Sequence, residues 1–288
     1  MRSIGFIGLG VMGHSMAGHL LTAGHQLHVF TRTRVKAKAL LERGAIWHES
    51  PAQLAPHCDV IITIVGFVPD VEQVYFGDEG LIAHAREDTY MIDMTTSSPA
   101  LARRIASAGK VLGLHCLDAP VSGGDVGARE ARLSIMVGGE AAAFEHMRPT
   151  LEVMGSNIVY LGPAGAGQHT KMANQIAIAA GMLGLCEALV YAKRAGLDPS
   201  EVLDAISGGA AGSWSLSNYG PRMIAREFAP GFFVKHFIKD MEIASAEAEA
   251  MGLEAPGLEL ALQRYRELAA ANGADDGTHA LYRLYDSE

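Results

Sequence analysis

The segment IGFIGLGVMG, residues Ile4–Gly13, decides how the first half of this chain folds. It begins as a short apolar run typical of a buried strand and continues as G-x-G-x-x-G at Gly8, Gly10 and Gly13. In this pattern Gly8 permits a tight turn, Gly10 lets a pyrophosphate approach the backbone, and Gly13 lets the following helix pack on the strand. The N-terminus of that helix supplies N–H donors and a partial positive charge. A strand, a glycine turn and a helix in this order favour a dinucleotide site over a glycine-rich turn without a ligand.

Short apolar segments alternate with helical patterns throughout the first half of the chain. The predicted strands are Ser3–Ile7, Leu27–Phe30, Val60–Val65, Tyr90–Met94, His115–Asp118, Leu133–Val137 and Ile158–Leu161. Amphipathic segments between them include Met12–Ala23, Val35–Glu42 and Ala100–Ala108. Near-continuous apolar strands that alternate with helices predict a mainly parallel sheet covered on both faces.

The second half of the chain carries helical patterns and no predicted strand after about Leu161. A glycine-rich turn at Gly162–Gly167 precedes a long helical pattern at Gln168–Arg194, and Asp198-Pro199 then begins a new helix. We therefore predict an α/β Rossmann-like dinucleotide-binding domain at residues 1–162 and an all-α domain at residues 163–288.

Composition excludes several classes of function. The net charge of −9 disfavours a general attraction to nucleic acid or to anionic membranes. The longest apolar stretch, Ile176–Cys186, has 11 residues, fewer than the roughly 20 that span a bilayer. No secretory signal is predicted at the N-terminus.

The three scattered cysteines, Cys58, Cys116 and Cys186, are interpreted as buried thiols in a reducing compartment, and we expect a cytoplasmic protein. The twelve histidines lack ligand spacing, so no metal site is predicted.

The segment after the second predicted strand bears on the choice of cofactor. An acidic residue there would bind the ribose hydroxyls of NAD, but the chain has Thr31-Arg32-Thr33-Arg34 instead. Arg32 could pair with a 2′-phosphate, with the hydroxyls of Thr31 and Thr33 as further donors. This favours NADP over NAD. Alternatively, Arg32 stacks on adenine, or the arginines are solvated surface charges.

Four further motifs lie between Asp93 and Asp240. They are DMTT at Asp93–Thr96, DAPVSGG at Asp118–Gly124, Gly165-x-Gly167-x-x-x-Lys171-x-x-Asn174, and Phe232 followed by Lys239-Asp240. Together with the glycine-rich opening, they make the whole chain resemble the β-hydroxyacid dehydrogenase family. That group includes 3-hydroxyisobutyrate dehydrogenase and tartronate semialdehyde reductase (2-hydroxy-3-oxopropionate reductase).

The resemblance implies a substrate-binding and a catalytic role for residues in two of these motifs. Ser122, Gly123 and Gly124 would bind the substrate carboxylate, through a hydroxyl and backbone N–H groups. From the sequence alone an ordinary Ser-Gly turn is the favoured interpretation, and the resemblance reverses this. Lys171 and Asn174 are three residues apart and share a helix face. Lys171 would donate a proton to the alkoxide as ammonium and accept one as neutral amine, while Asn174 orients the reacting hydroxyl.

Residues from both predicted domains are expected to contact the cofactor. The predicted contacts are Gly8, Leu9, Gly10, Val11, Met12, Gly13, Thr31, Arg32, Thr33, Val65, Thr96, Phe232 and Lys239. Of these, Thr96, Phe232 and Lys239 are implied by the resemblance. A surface ion pair is the alternative for Lys239-Asp240. Val65 belongs to Ile64-Val65-Gly66-Phe67, where family members usually have a Leu-Pro step.

The predicted reaction is reversible hydride transfer between NADP(H) and a short 3-hydroxy acid or its semialdehyde. The run Ser207–Ser213 and the segment Phe228–Phe232 favour a tartronate semialdehyde reductase-like substrate. The alternatives are NAD-dependent oxidation of 3-hydroxyisobutyrate, reduction of succinic semialdehyde or glyoxylate, and a non-catalytic dinucleotide sensor. An imine reductase is disfavoured by Lys171. The resemblance also implies a homodimer or homotetramer.

Overall fold

The computed structural model describes residues 1–286, and the chain divides into two compact units. The first ends at Lys171 and the second begins at Met172, inside one long helix. The first unit is a doubly wound α/β domain and the second is helical, so the predicted fold class is confirmed. The predicted boundary after residue 162 lies in the turn that precedes this helix.

Within the described residues, one mostly parallel sheet contains nine strands. They are β1 Ser3–Ile7, β2 Gln26–Phe30, β3 Ile46–Trp47, β4 Val60–Thr63, β5 Tyr90–Asp93, β6 His115–Asp118, β7 Val121–Ser122, β8 Leu133–Gly139 and β9 Gly155–Gly162. The strand order is β3-β2-β1-β4-β5-β6-β8-β7, and β9 pairs with β8. β8 runs antiparallel to its neighbours β6 and β7 and parallel to β9. All seven predicted strands are present with small shifts at their ends; β3 and β7, of two residues each, are too short to give a periodic pattern.

Helices connect the strands of the first unit. They are α1 Gly13–Thr22, α2 Lys38–Glu42, α3 Pro51–Leu54, α4 Val68–Phe76, α5 Leu81–His84, α6 Pro99–Val111, α7 Gly124–Arg129, α8 Ala141–Leu151 and the start of α9 Ala166–Arg194. The predicted helix at Val35–Glu42 is instead a 3-10 turn at Arg34–Ala37 followed by α2. The start of α6 follows from local chemistry: Ser98 Oγ accepts a hydrogen bond from Leu101 N, and Pro99 occupies the first helical position.

The sheet separates two hydrophobic layers because successive side chains on a strand point to opposite faces. On β1, Ile4 and Phe6 belong to one layer and Ile7 to the other. On β4, Ile62 belongs to the first layer and Ile61 to the second. All five of these side chains are buried. Burial of each such side chain contributes about 1.5–3 kcal/mol. This two-sided burial is the reason that these strands read as continuous apolar runs.

The second unit packs helices around its own core. After α9 come α10 Pro199–Ser207, α11 Trp214–Ile224, α12 Val234–Ala250, α13 Pro256–Leu268 and a 3-10 segment at Thr278–Leu284. By length and composition α9 could cross a membrane. Its residues Met182, Cys186 and Leu189 are buried in the helical core, and 44% of its most apolar window is buried.

The three cysteines are free thiols. Cys58 and Cys186 are buried, as predicted, whereas Cys116 is partly exposed. Burial raises the pKa of the Cys58 thiol to about 12. The Cys58 thiol is therefore a packed core group and a poor nucleophile at neutral pH.

Three histidines cluster beside the edge of the sheet. The rings of His28 and His57 stack at 5.7 Å, and His28 Nδ1 lies 2.8 Å from His48 Nε2. Burial, followed by the neighbouring His48 and His57, lowers the pKa of His28 from 6.5 to about 4. The unfolded chain therefore takes up a proton at this group before the folded chain does as the pH falls.

We expect the free energy of unfolding to decrease as the pH falls from about 6.5 to 4, because protonation of His28 favours the unfolded state in that window. Urea unfolding at pH 7 and pH 5 of the wild type and of His28→Leu would measure this. The variant should lose less stability over the interval; an equal loss would show that His28 does not carry the effect.

Candidate active site

The glycine-rich turn joins β1 to α1 at the carboxyl edge of the sheet. Gly8 has φ +100°, and a Cβ atom there would lie 2.0 Å from the carbonyl oxygen of Ile64. A Cβ at Gly13 would lie 2.0 Å from the carbonyl oxygen of Gly8. Both glycines are therefore required by the packing of the fold itself.

Gly10 differs from these two glycines. It is exposed, and a Cβ atom built on it would meet nothing within 4 Å. The fold therefore does not require glycine at this position, whereas close approach of a pyrophosphate to the backbone does. The turn thus has the open cradle that a dinucleotide cofactor needs. The side chain of Leu9 is buried in the core, so Leu9 can contact a cofactor only through its backbone, while Val11 is exposed.

Arg32 follows β2 at the same edge and is held by an acidic partner. Its Nη1 lies 3.0 Å from Asp70 Oδ1, although 79% of the Arg32 side chain is exposed. Asp70 also accepts a hydrogen bond from Phe67 N at the start of α4, which fixes the carboxylate. Arg34 has other partners, Glu49 and the ring of Trp47. The sequence interpretation missed Asp70, which is 38 residues from Arg32 and in no motif.

Thr31 and Thr33 flank Arg32; Thr31 is partly exposed and Thr33 is exposed. They therefore remain accessible as donors beside it. Met12, at the start of α1, is also partly exposed.

The loops after β4 and β5 are joined by a hydrogen bond. Val65 N donates to Thr95 Oγ1 at 3.0 Å. Thr96 is partly exposed, between Thr95 and Ser97, which are buried. Although the chain lacks the usual Leu-Pro step, its Val65 loop is thus tied to the neighbouring loop.

Two buried aspartates support these loops and the start of α9. Asp93 accepts hydrogen bonds from Thr63 Oγ1 at 2.9 Å and Thr95 N at 3.1 Å. Burial raises its pKa to about 6, against the opposing effect of these hydrogen bonds. Asp118 accepts from Gly165 N at 2.7 Å and from the first turn of α9, and burial raises its pKa as well. Asp118 therefore fixes the end of α9 that carries Lys171.

The Ser122-Gly123-Gly124 segment joins β7 to α7. Gly123 and Gly124 have φ of +126° and +62°, a conformation that side-chain-bearing residues rarely adopt. All three residues are partly exposed. A hydroxyl beside two successive left-handed glycines, with their N–H groups, has the chemistry of an anion-binding concavity.

Lys171 lies in the second turn of α9 and is 6% exposed. Lys171 is therefore not a solvated surface lysine. Asn174, on the same face of the helix, is partly exposed.

A polar chain in the second unit links two of the predicted site residues. Asn174 Nδ2 donates to Gln175 Oε1 at 2.7 Å, and Gln175 Nε2 donates to Asp240 Oδ2 at 2.6 Å. Lys239 Nζ lies 3.0 Å from Asp240 Oδ1. The Lys239 and Asp240 side chains are 12% and 2% exposed, so a surface ion pair is excluded. Neither the burial of the Lys239–Asp240 pair nor the role of Gln175 as a partner of Asn174 follows from the sequence motifs.

Phe232 is partly buried in the second unit, where its ring lies 5.6 Å from that of Phe237. Among residues 1–286, no group of three or more His, Cys, Asp or Glu side chains has the arrangement of a metal site.

Two family models match the chain. Residues 3–162 match the NAD binding domain of 6-phosphogluconate dehydrogenase. Residues 165–285 match the model described as NAD-binding of NADP-dependent 3-hydroxyisobutyrate dehydrogenase.

Full-length similarities extend to individual proteins. The chain is 58% identical to the uncharacterized oxidoreductase YkwC of Bacillus subtilis (strain 168), over 99% of each chain. It is 43% identical to 2-hydroxy-3-oxopropionate reductase of Escherichia coli (strain K12), covering 98% of this chain and 97% of that protein. Among solved structures, 3-hydroxyisobutyrate dehydrogenase of Mycobacterium tuberculosis with L-serine superposes with a TM-score of 0.89, at 32% identity over 99% of both chains.

Proposed function

The chain belongs to the β-hydroxyacid dehydrogenase family, and from that premise we propose that it interconverts a short 3-hydroxy acid and its semialdehyde with NADP(H). It is an NAD(P)-dependent oxidoreductase. The direction proposed is reduction of a tartronate semialdehyde-like substrate. The sequence runs at Ser207–Ser213 and Phe228–Phe232 support it, as does the 43% identity to a 2-hydroxy-3-oxopropionate reductase.

The burial of Lys171 is the observation that carries the catalytic part of the proposal. A lysine in the second turn of a helix is ordinarily solvated, whereas Lys171 is withdrawn from water on a helix end that Asp118 fixes. When bound, the nicotinamide cofactor supplies or accepts the hydride. In reduction Lys171 donates a proton from its ammonium group to the developing alkoxide, and in oxidation its neutral amine accepts the hydroxyl proton.

The other proposed roles follow from the chemistry of each group. Ser122 Oγ and the N–H groups of Gly123 and Gly124 bind the substrate carboxylate. The amide of Asn174, whose orientation is set by Gln175, orients the reacting hydroxyl. Lys239, fixed by the buried Asp240, attracts the anionic cofactor.

Initial rates with a panel of tartronate, succinic and methylmalonic semialdehydes and glyoxylate, each with NADPH and with NADH, test the function. We expect the highest kcat/KM with tartronate semialdehyde and NADPH. The highest kcat/KM with methylmalonic semialdehyde and NADH would instead select the alternative, an NAD-dependent 3-hydroxyisobutyrate dehydrogenase. If the protein bound NADPH but turned over none of these substrates, the result would favour the alternative of a non-catalytic dinucleotide sensor.

Arg32 is proposed to determine the preference for NADP, because its guanidinium can pair with the 2′-phosphate and Asp70 keeps it at the edge of the sheet. Replacing Arg32 with alanine should raise KM for NADPH by about tenfold or more, as a hydrogen bond between charged groups contributes about 1.5–3 kcal/mol. KM for NADH should change little, because NADH lacks this phosphate.

The matched control is Arg34→Ala, since Arg34 is exposed in the same segment but bound to Glu49 and Trp47. Its KM values should stay near those of the wild type. If Arg32→Ala raised KM equally for both cofactors, Arg32 would contact a group common to both, such as adenine.

A further inference from the structure

The buried side chain of Gln168 connects α9 to the loop after β5. Gln168 is in the first turn of α9, three residues before Lys171, and its side chain is fully buried. Gln168 Oε1 accepts a hydrogen bond from Ser97 N at 2.9 Å, and its Nε2 donates to the carbonyl oxygen of Thr95 at 2.7 Å. The amide thus holds the backbone on both sides of Thr96.

The same loop is connected onwards to the loop after β4. Thr95 Oγ1 accepts from Val65 N at 3.0 Å, and Thr95 N donates to Asp93 Oδ1 at 3.1 Å. The backbone N of Gln168 in turn donates to Asp118 Oδ2 at 2.9 Å. A continuous set of buried and partly buried hydrogen bonds therefore runs from the Val65 loop through Thr95 to the turn of α9 that precedes Lys171.

The amide is suited to this position because it offers a donor and an acceptor at once. The carbonyl of Thr95 needs a donor and the N–H of Ser97 needs an acceptor. A carboxylate provides acceptors alone, and an apolar side chain of the same length provides neither. Glutamine satisfies both backbone groups without a buried charge.

We propose that Gln168 is a positioning residue, which sets the Thr96 and Val65 loops relative to Lys171. This inference rests on the proposed roles of Thr96 and Val65 as cofactor contacts and of Lys171 as the proton donor. Gln168 does not touch the reacting atoms in this proposal. Its effect arises because displacements of about 1 Å in a reacting pair can cost about 10²-fold in rate.

Two substitutions separate positioning from simple packing. Gln168→Met keeps the length of the side chain and removes both hydrogen bonds. It should lower kcat by about 10²-fold and weaken NADPH binding, measured by fluorescence titration without substrate, by about tenfold. Amide hydrogen exchange at Ser97 should become faster, because the acceptor of its N–H is gone.

Gln168→Glu tests whether activity depends on the two hydrogen bonds of this side chain, because protonation of the glutamate changes which of them it can form. The carboxylate can accept from Ser97 N but cannot donate to the Thr95 carbonyl, whereas the protonated acid can do both. The ratio of variant to wild-type kcat should therefore rise as the pH is lowered. For Gln168→Met the same ratio should be independent of pH. If Gln168 only filled space in the core, the kcat ratios of Gln168→Glu and Gln168→Met would show the same dependence on pH.

Tyr265→Phe is the matched control for loss of a buried hydrogen bond, because Tyr265 Oη donates to the carbonyl of Thr278 at 2.9 Å within the helical core. Its kcat should stay within about twofold of the wild type. A kcat and NADPH affinity in Gln168→Met equal to those of Tyr265→Phe would overturn the inference, as would a flat pH ratio for Gln168→Glu. If the wild type turned over none of the substrates, the proposed function would fail, but NADPH affinity and Ser97 exchange would still test Gln168.

Discussion

Lys171→Ala should lower kcat by about 10³-fold or more while leaving the Kd for NADPH within about threefold of the wild type. The reason is that proton transfer by a positioned group contributes about 10²–10⁴-fold, and the buried lysine is the group proposed to supply it. Stopped-flow reduction of the semialdehyde, together with fluorescence titration of NADPH, would measure the two quantities separately. Lys171→Met, which keeps most of the side-chain volume, guards against a packing defect as the cause.

A lysine at the other end of the same helix provides the control. Lys193 also lies on α9 but pairs with Asp286 at 2.9 Å, and its side chain is 41% exposed. Lys193→Ala should therefore keep the wild-type kcat. An unchanged kcat in both Lys171 variants would remove that residue from the mechanism and leave the proton donor unassigned.

Alanine at Gly13 should destabilise the fold and alanine at Gly10 should not, whereas both substitutions should weaken cofactor binding. At Gly13 the new Cβ would lie 2.0 Å from the carbonyl oxygen of Gly8, so the turn or α1 must shift. Overpacking of this kind costs about 1–3 kcal/mol and sometimes more, and the displaced turn should no longer bind NADPH. At Gly10 the Cβ meets no atom within 4 Å, so the free energy of unfolding should stay within about 1 kcal/mol of the wild type.

The affinity for NADPH in Gly10→Ala should nevertheless fall by about tenfold or more, because the methyl group fills the space that a pyrophosphate needs next to the backbone. Urea unfolding would give the free energy of unfolding of each variant, and fluorescence titration would give its Kd for NADPH. Wild-type NADPH affinity in Gly10→Ala would show that the cofactor does not approach the backbone there. Wild-type stability in Gly13→Ala would show that the turn can relax around a methyl group.

The fold and the outline of the site follow from local patterns in the sequence. Apolar runs such as Ser3–Ile7 predict strands because a strand buried on both faces needs apolar side chains in succession. The glycine spacing predicts a phosphate-binding turn, since Gly8 and Gly13 leave room for backbone contacts. Lys171 and Asn174 share a face because a helix brings residues three apart together.

Tertiary structure alone determined which partners hold these residues in place. Asp70 beside Arg32, Thr95 beside Gln168, and Asp240 beside Gln175 come from distant parts of the chain: the three hydrogen-bonded pairs are 38, 73 and 65 residues apart. It also determined that Lys171 is buried and that the Lys239 side chain is only 12% exposed, although lysines in helices are mostly solvated. Periodicity and spacing report the conformation of a short segment, whereas burial and long-range hydrogen bonds depend on which segments pack together. Local sequence patterns therefore identify the candidate site residues. The packing of the chain determines which of them are buried and which distant residues hold them in place.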